Sequence, residues 1–423
     1  MLSRAENELV TQTGPGTPMG EVFRRFWIPA VLSSEIPEPD CPPVEVTLLS
    51  ERLIAFRTTD GRAVLMDARC PHRHANLYWG RNEDNCIRCV YHGWQFDADG
   101  FCVDMPAEPE GSRFKEHVRI TTYATHECAG VVWTYMGPQD NVPPFPRFDF
   151  AVVPESHTLA GKRRIPCNYL QNLEGEMDTA HVNFLHNEFG VTGDAKIKPA
   201  YQLRTKFLVA PTNFGLVAAA RRNYPNDMHY WRMTPFLLPS FTIIPSVPDL
   251  KHFTAAVPLD DVNMWGFTIS WRPGRPLDEA DRERFFSGRE QQIPVDPKTF
   301  VGLLNRSNDY GVDRQKQRTE SFTGIPGTRL QDCAVQEDQD GPILHRWEEH
   351  LGTTDRAIVA TRRRLLGLAR DLRNGIEPKE PFQPDAFLVR SIVAEVPDSV
   401  PWREVWDAAQ PEGAVLDHIG SGT

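Results

Sequence analysis

Nowhere in the 423 residues is there an apolar run long enough to cross a bilayer as a helix. The longest, TPFLLPSFTIIPSV (234–247), is cut by prolines and falls well short of the 18 or more residues such a helix needs. No apolar segment follows MLSRAENELV, so no secretory signal is read, and the chain is expected in the cytoplasm without a membrane partner. Positive charge is short as well: 46 Lys and Arg against 57 Asp and Glu leave a net charge of -11, which argues against a nucleic-acid partner or an anionic lipid surface. The acidity reads as solubility, with docking of a basic protein partner as the alternative. Eight cysteines are too few for a disulfide scaffold, so a local cluster of them points to metal or to catalysis. Phosphate-binding loops are missing too. The one glycine-rich candidate, GPGTPMG (14–20), follows no strand and departs from GxGxxG, so it reads as a plain loop and no nicotinamide or flavin site is evident.

A chain of this length exceeds one ordinary core, and its 36 prolines imply many turns and few long helices. Residues 1–150 carry short apolar runs (VEVTLLSERLIAFRTTDGRAVLMDA, WQFDADGFCV, HECAGVVWTYMGP) separated by DG and DADG turns, the chemistry of antiparallel hairpins. The proline-rich GPQDNVPPFPRFDF (137–150) reads as a boundary. Residues 151–423 mix a helical candidate (168–189), several strand-like runs and a late helix, DRAIVATRRRLLGLARDL (355–372), with apolar residues at i, i+3 and i+4. The expected class is α+β: an all-β first domain with a core at about 28–136, then a sheet-and-helix domain.

Two Cys/His pairs stand out: Cys70-Pro-His72 and Cys89-Val-Tyr-His92, with 16 residues between them. Cys86 and His74 are surplus. A structural zinc site accepts two thiolates and two imidazoles, and CIRC (86–89) is itself a CxxC pair. A Rieske [2Fe-2S] centre needs two thiolates on one iron and two imidazoles on the other, and CxH followed by CxxH divides that way directly. About 90 residues on, GEMDTAHVNFLH holds Asp178, His181 and His186. Two imidazoles and a carboxylate suit non-haem Fe(II) with positions left open. His181 and His186, five apart, lie about 140° apart on a regular helix, so they converge only where the helix is distorted or from its two flanks.

CPHR, the 16-residue gap and CVYHGWQFDADG together resemble the Rieske domain of aromatic-ring oxygenases. GEVFRRFWIPA, MPAEP, NYLQNLEGEMDTAH, NDYGVDRQKQRTESFTGIPG and EEHLGTTDRAIV extend the resemblance over nearly the whole chain, to the large (alpha) subunit of the phthalate dioxygenase branch. By that resemblance the second domain is an antiparallel, helix-grip (START-like) sheet flanked by helices. Cys70 and Cys89 hold one cluster iron and His72 and His92 the other. His181 and His186 hold a mononuclear Fe(II), and Asp178 bridges the two centres across a subunit interface, which implies a trimer or hexamer. The third ligand is expected at Asp355, with helix capping as its other reading and Glu348 and Glu349 as competitors. The resemblance also implies a separate NAD(P)H-dependent flavin and iron-sulfur reductase, O2 as co-substrate, and an aromatic carboxylate dihydroxylated by insertion of both oxygen atoms. Monooxygenation, as O-demethylation or hydroxylation, and pure electron transfer are the alternatives. A carboxylate near iron wants a cationic partner, for which Arg232 is the candidate, with Arg221 and Arg222 behind it.

Overall fold

A computed structural model describes residues 1–187, 204–246 and 249–415. The first half is antiparallel β, as the turn chemistry predicts. Strands β1 (Trp27–Leu32), β2 (Val44–Leu48), β3 (Glu51–Arg57), β4 (Ala63–Asp67), β5 (Arg81–Glu83), β6 (Cys86–Arg88), β7 (Gln95–Asp97), β8 (Cys102–Asp104), β9 (Thr122–Cys128) and β10 (Val131–Tyr135) form two sheets. One has the order β1-β10-β9-β4-β3-β2, the other β5-β6-β7-β8. The DADG turn joins β7 to β8: Asp97 Oδ1 accepts from the Asp99 and Phe101 amides at 3.0 and 2.8 Å. Gly100 sits at φ 87, and a Cβ there would lie 2.2 Å from the Ile120 carbonyl, so only glycine closes this turn.

Strand parity splits the larger sheet between two cores. On β3 and β4, Ile54, Phe56, Val64 and Met66 face the small sheet and the Cys/His loops. Leu53, Ala55, Ala63 and Leu65 face the other way, into the core shared with the second half.

That second half is built on β11 (Thr158–Ile165), β12 (Thr205–Thr212), β13 (Gly215–Tyr224), β14 (Met228–Leu237), β15 (Phe241–Ile244), β16 (Lys251–Pro258), β17 (Met264–Trp271) and β18 (Ile392–Pro397). The order is β11-β17-β16-β15-β14-β13-β12, with β18 added on β14. Helix α3 (Tyr169–Met177) lies across β15 and β16. Helices Thr328–Gln336 and Arg356–Arg373 pack beside it. The proline-rich stretch 137–150 is no loose linker. Its Phe148 stacks 5.4 Å from Trp133 and lies 5.3 Å from Phe253, and Phe150 lies 5.0 Å from Phe253. Asp149 accepts from Trp271 Nε1 and from both prongs of Arg390, all at 2.7 Å. The first helices, α1 (Arg4–Thr11) and α2 (Pro18–Arg24), also join the second half, with Tyr169 donating to the Val10 carbonyl at 2.7 Å.

Under these layers Glu174 of α3 is held by Arg346 (2.8 and 3.0 Å) and Arg362 (2.6 Å), all three buried. Burial pushes its carboxyl pKa up, and the two guanidiniums more than reverse that, leaving it below the usual value. Its contribution is therefore full above the ordinary carboxylate range and lost as pH falls through the depressed value. Glu174→Gln, which strands two buried cations, should cost about 3–5 kcal/mol in denaturant unfolding at neutral pH, and the gap to wild type should narrow in acid.

Candidate metal centres

The two Cys/His loops are built alike. The Cys70 amide donates to the Ala75 carbonyl at 2.9 Å and the Cys89 amide to the Trp94 carbonyl at 2.8 Å. In return the Cys70 carbonyl accepts from His74 and the Cys89 carbonyl from Gly93, both at 2.9 Å. Each returning residue is left-handed, with φ 58 at His74 and φ 76 at Gly93. His74 thus occupies a position whose twin is glycine, at a cost of about 1 kcal/mol. Its side chain is exposed, as a bystander's would be.

The loops bury both thiols and bring the rings of His72 and His92 to 4.4 Å, with His72 stacked on Trp94 at 4.4 Å. Cys89 is pulled down to about 6 because it accepts the Cys70 S–H and the amides of Tyr91 and His92. A sulfur so surrounded by donors suits a thiolate ligand of an iron-sulfur cluster. Cys86 lies on β6, buried, with burial pushing its thiol up.

In the second half, the helix expected over 168–189 ends early. α3 stops at Met177, Asp178 is extended (φ -87, ψ 105), and a short 3-10 turn spans His181–Asn183; residues 188 and 189 lie outside the described residues. This break removes the 140° conflict. His181 Nε2 and His186 Nε2 come to 3.2 Å. The carboxylate that joins them is Asp332, with Oδ1 3.2 Å from His186 Nε2 and 3.6 Å from His181 Nε2. Three donor atoms on one face of an octahedron about 2.1 Å from its centre stand about 3 Å apart, so this set fits a 2-His-1-carboxylate site. Gln331 Oε1 lies 2.7 Å from His186 Nδ1, which fixes that ring proton away from Nε2. Asp178 accepts the Ala180 amide at 2.7 Å and stands 3.6 Å from His181 Nδ1. Burial pushes Asp332's carboxyl up, but its bond to His186 and the charge of Arg329 bring it below the usual value.

Asp355 takes no part in this set, and that expectation is corrected. Its Oδ2 accepts the Gly352 amide, in the capping box of the 3-10 turn Thr353–Asp355 that leads into the Arg356–Arg373 helix. Glu349 pairs with Arg362 through bonds of 2.5 and 2.8 Å, and Glu348 accepts from Trp347. Asp332 went unread because it lies some 146 residues beyond His186 in TRLQDCAVQ, with no local pattern to mark it. The available sign was an Arg and an Asp three apart, Arg329 and Asp332, on the buried face of one helix.

A cavity of about 340 Å³ opens beside the three groups, and Arg232 and His252 share its wall. Arg232 Nη1 donates to the Pro245 carbonyl at 2.9 Å, while its buried Nε has no partner among the described residues. Arg221 is not in this wall. It pairs with Trp231, whereas Arg232 pairs with Ala220, so strand parity puts Arg221 on the opposite sheet face. Arg222 shares Arg232's face and reaches the Thr179 carbonyl at 3.5 Å. His252 is held by Ser270 Oγ at 2.7 Å, and burial pulls it down to about 3, so it is neutral at physiological pH.

Comparison with known proteins agrees with this architecture. Residues 26–124 match the Rieske [2Fe-2S] domain and residues 134–421 the LigXa C-terminal domain like family. The chain is 37% identical over 421 residues to the 3-chlorobenzoate-3,4-dioxygenase oxygenase subunit of Comamonas testosteroni, covering 95% of this chain and 97% of that one. It is 37% identical over 378 residues to the phthalate 4,5-dioxygenase oxygenase subunit of Pseudomonas putida, covering 86% of each. Among solved structures, the QL mutant of Pseudomonas putida CBB5 NdmA with caffeine shares the fold at TM-score 0.60 and 18% identity, over 88% of this chain and 97% of that one. The chain belongs to the Rieske-type oxygenases. Within them it is an oxygenase subunit of the phthalate dioxygenase branch: an oxidoreductase with a Rieske cluster and a mononuclear iron, working in a multi-component system.

Asp332→Ala should bring the iron content of the full chain from about three per chain to about two, with the Rieske absorption intact. Asp355→Ala, by contrast, should keep all three. Iron analysis beside the visible spectrum checks both.

Proposed function

We propose that this subunit hydroxylates an aromatic carboxylate, inserting both atoms of O2, with Cys70, Cys89, His72 and His92 holding the cluster and His181, His186 and Asp332 the mononuclear iron. When bound, the two centres supply reductive activation of O2. The observation that carries the substrate reading is Arg232: a buried guanidinium in the cavity wall with a donor to spare. A substrate carboxylate in the cavity pairs with the guanidinium and offsets its charge. Neutral His252, on the same wall, offers a hydrogen bond without competing for the anion. The relatives that act on 3-chlorobenzoate, phthalate and phenoxybenzoate favour the same substrate class. A second reading, monooxygenation, is favoured by a relative that is a tert-butanol monooxygenase and tert-amyl alcohol desaturase subunit, 34% identical.

Asp178 orients His181 through Nδ1 and is assigned as the bridge to His92 of the partner subunit. Two surfaces support such an assembly, a trimer or a multiple of one. His181 also borders an open hollow of about 880 Å³ with exposed Phe184, Phe322 and Val335 on its rim. Trp79, Val90 and Tyr91 are exposed around the cluster loops. The chain is assigned to the cytoplasm, and no helix among the described residues is long and apolar enough to cross a membrane. Electrons are assigned to a separate NAD(P)H-dependent flavin and iron-sulfur reductase.

Products formed under labelled O2 from phthalate, 3-chlorobenzoate and methoxybenzoates, with such a reductase, test the reading. A diol carrying two labelled atoms supports it, and a singly labelled or demethylated product favours the second. Arg232→Ala should raise KM for the carboxylate substrate about 10- to 100-fold, and an unchanged KM removes Arg232 from the site. Asp178→Asn should retain the Rieske spectrum and lose turnover; retained turnover removes the bridge.

A further inference from the structure

The helix that supplies Asp332 also supplies its restraint. Arg329, one turn earlier, is 2% exposed. Its Nη1 lies 3.5 Å from Asp332 Oδ2 and also contacts Glu176 Oε1, while its Nη2 donates to Gln291 Oε1 at 2.6 Å. The two oxygens of Asp332 are therefore divided: Oδ1 faces the imidazoles, and Oδ2 faces a guanidinium. Arg329 is held in this place because Glu176 contacts the same Nη1 and Gln291 takes Nη2, in a buried setting.

A carboxylate that is free to rotate about its Cβ–Cγ bond offers a metal either one oxygen or both. With both bound, one fewer position would be left open. We propose that Arg329 is a positioning residue that holds Asp332 turned so that Oδ1, rather than Oδ2, would be offered to a metal held by the histidines, and that Glu176 and Gln291 keep Arg329 in place. This rests on the assignment of Asp332 as an iron ligand. Outer partners of this kind set metal affinity as well as orientation.

The test uses the full chain with its Rieske cluster loaded and the mononuclear iron removed, titrated with Fe(II) against a chelator. Arg329→Met alone would leave Glu176 buried and unpaired, so the informative variant is Arg329→Met with Glu176→Gln. Its dissociation constant for Fe(II) should rise about 10- to 100-fold with the thermal midpoint and Rieske absorption retained. Arg329→Lys, which keeps the charge but not the fork, should give an intermediate rise. An unchanged affinity in either variant, or a loss that Glu176→Gln alone reproduces in full, overturns the proposal. Asp332→Ala, run in parallel, separates the two ideas: if it binds Fe(II) as wild type does, the ligand assignment fails, and not merely the role of Arg329.

Discussion

The clamping of α3 between two buried carboxylate–guanidinium sets is the interaction on which the site depends. Glu174 and Glu176, two residues apart, point to roughly opposite sides of one helix. The first is held by Arg346 and Arg362, the second by Arg329. Removing one partner from such a pair is far more costly than the pair is stabilising, so α3 has little freedom to slide or turn. The histidines that follow inherit that rigidity. Two imidazoles and a carboxylate at 3.2 to 3.6 Å are not a self-supporting group, and they stay together because the elements bearing them are fixed first.

From α3 outward, each layer serves this placement. The sheet presents two different faces: Phe241 and Phe253 turn toward Trp133 and Phe148 of the first half, while Thr242, Thr254 and His252 turn the other way. The aromatic contact fixes the sheet, and the polar face underlies α3 and the cavity. Asp178 ends the helix by leaving the helical backbone, and its side chain then accepts the Ala180 amide just ahead of the next turn. One residue therefore breaks the helix, starts the histidine turn and stands beside His181.

What could be read in the sequence divides by distance along the chain. The Cys/His pairs were legible because each pair lies on one tight loop, so residue spacing is itself geometry. Asp178, His181 and His186 were legible for the same reason, and the doubt about their helical angle pointed to a real break. Asp332 was not legible, since tertiary packing brings its helix to the histidines and many other carboxylates competed. Asp355 drew attention because an acid at a helix start is conspicuous, and capping was the reason it stood there. Choosing between Arg221 and Arg222 required the register of β13 against β14, which no single strand reveals. The composition of the proline-rich stretch at 137–150 suggests a boundary, whereas its three phenylalanines make it part of the core.

The central claim is that the carboxylate arm of the mononuclear site comes from the helix at 328–336, held in place by α3 and its clamps. Anomalous scattering at the iron edge from crystals of the loaded protein tests it most directly. The account predicts a pair of peaks between the loops of Cys70–His72 and Cys89–His92, and a single further peak within coordination distance of His181, His186 and one oxygen of Asp332. A further peak at Asp355, or one at the histidines with Asp332 turned away, would contradict it.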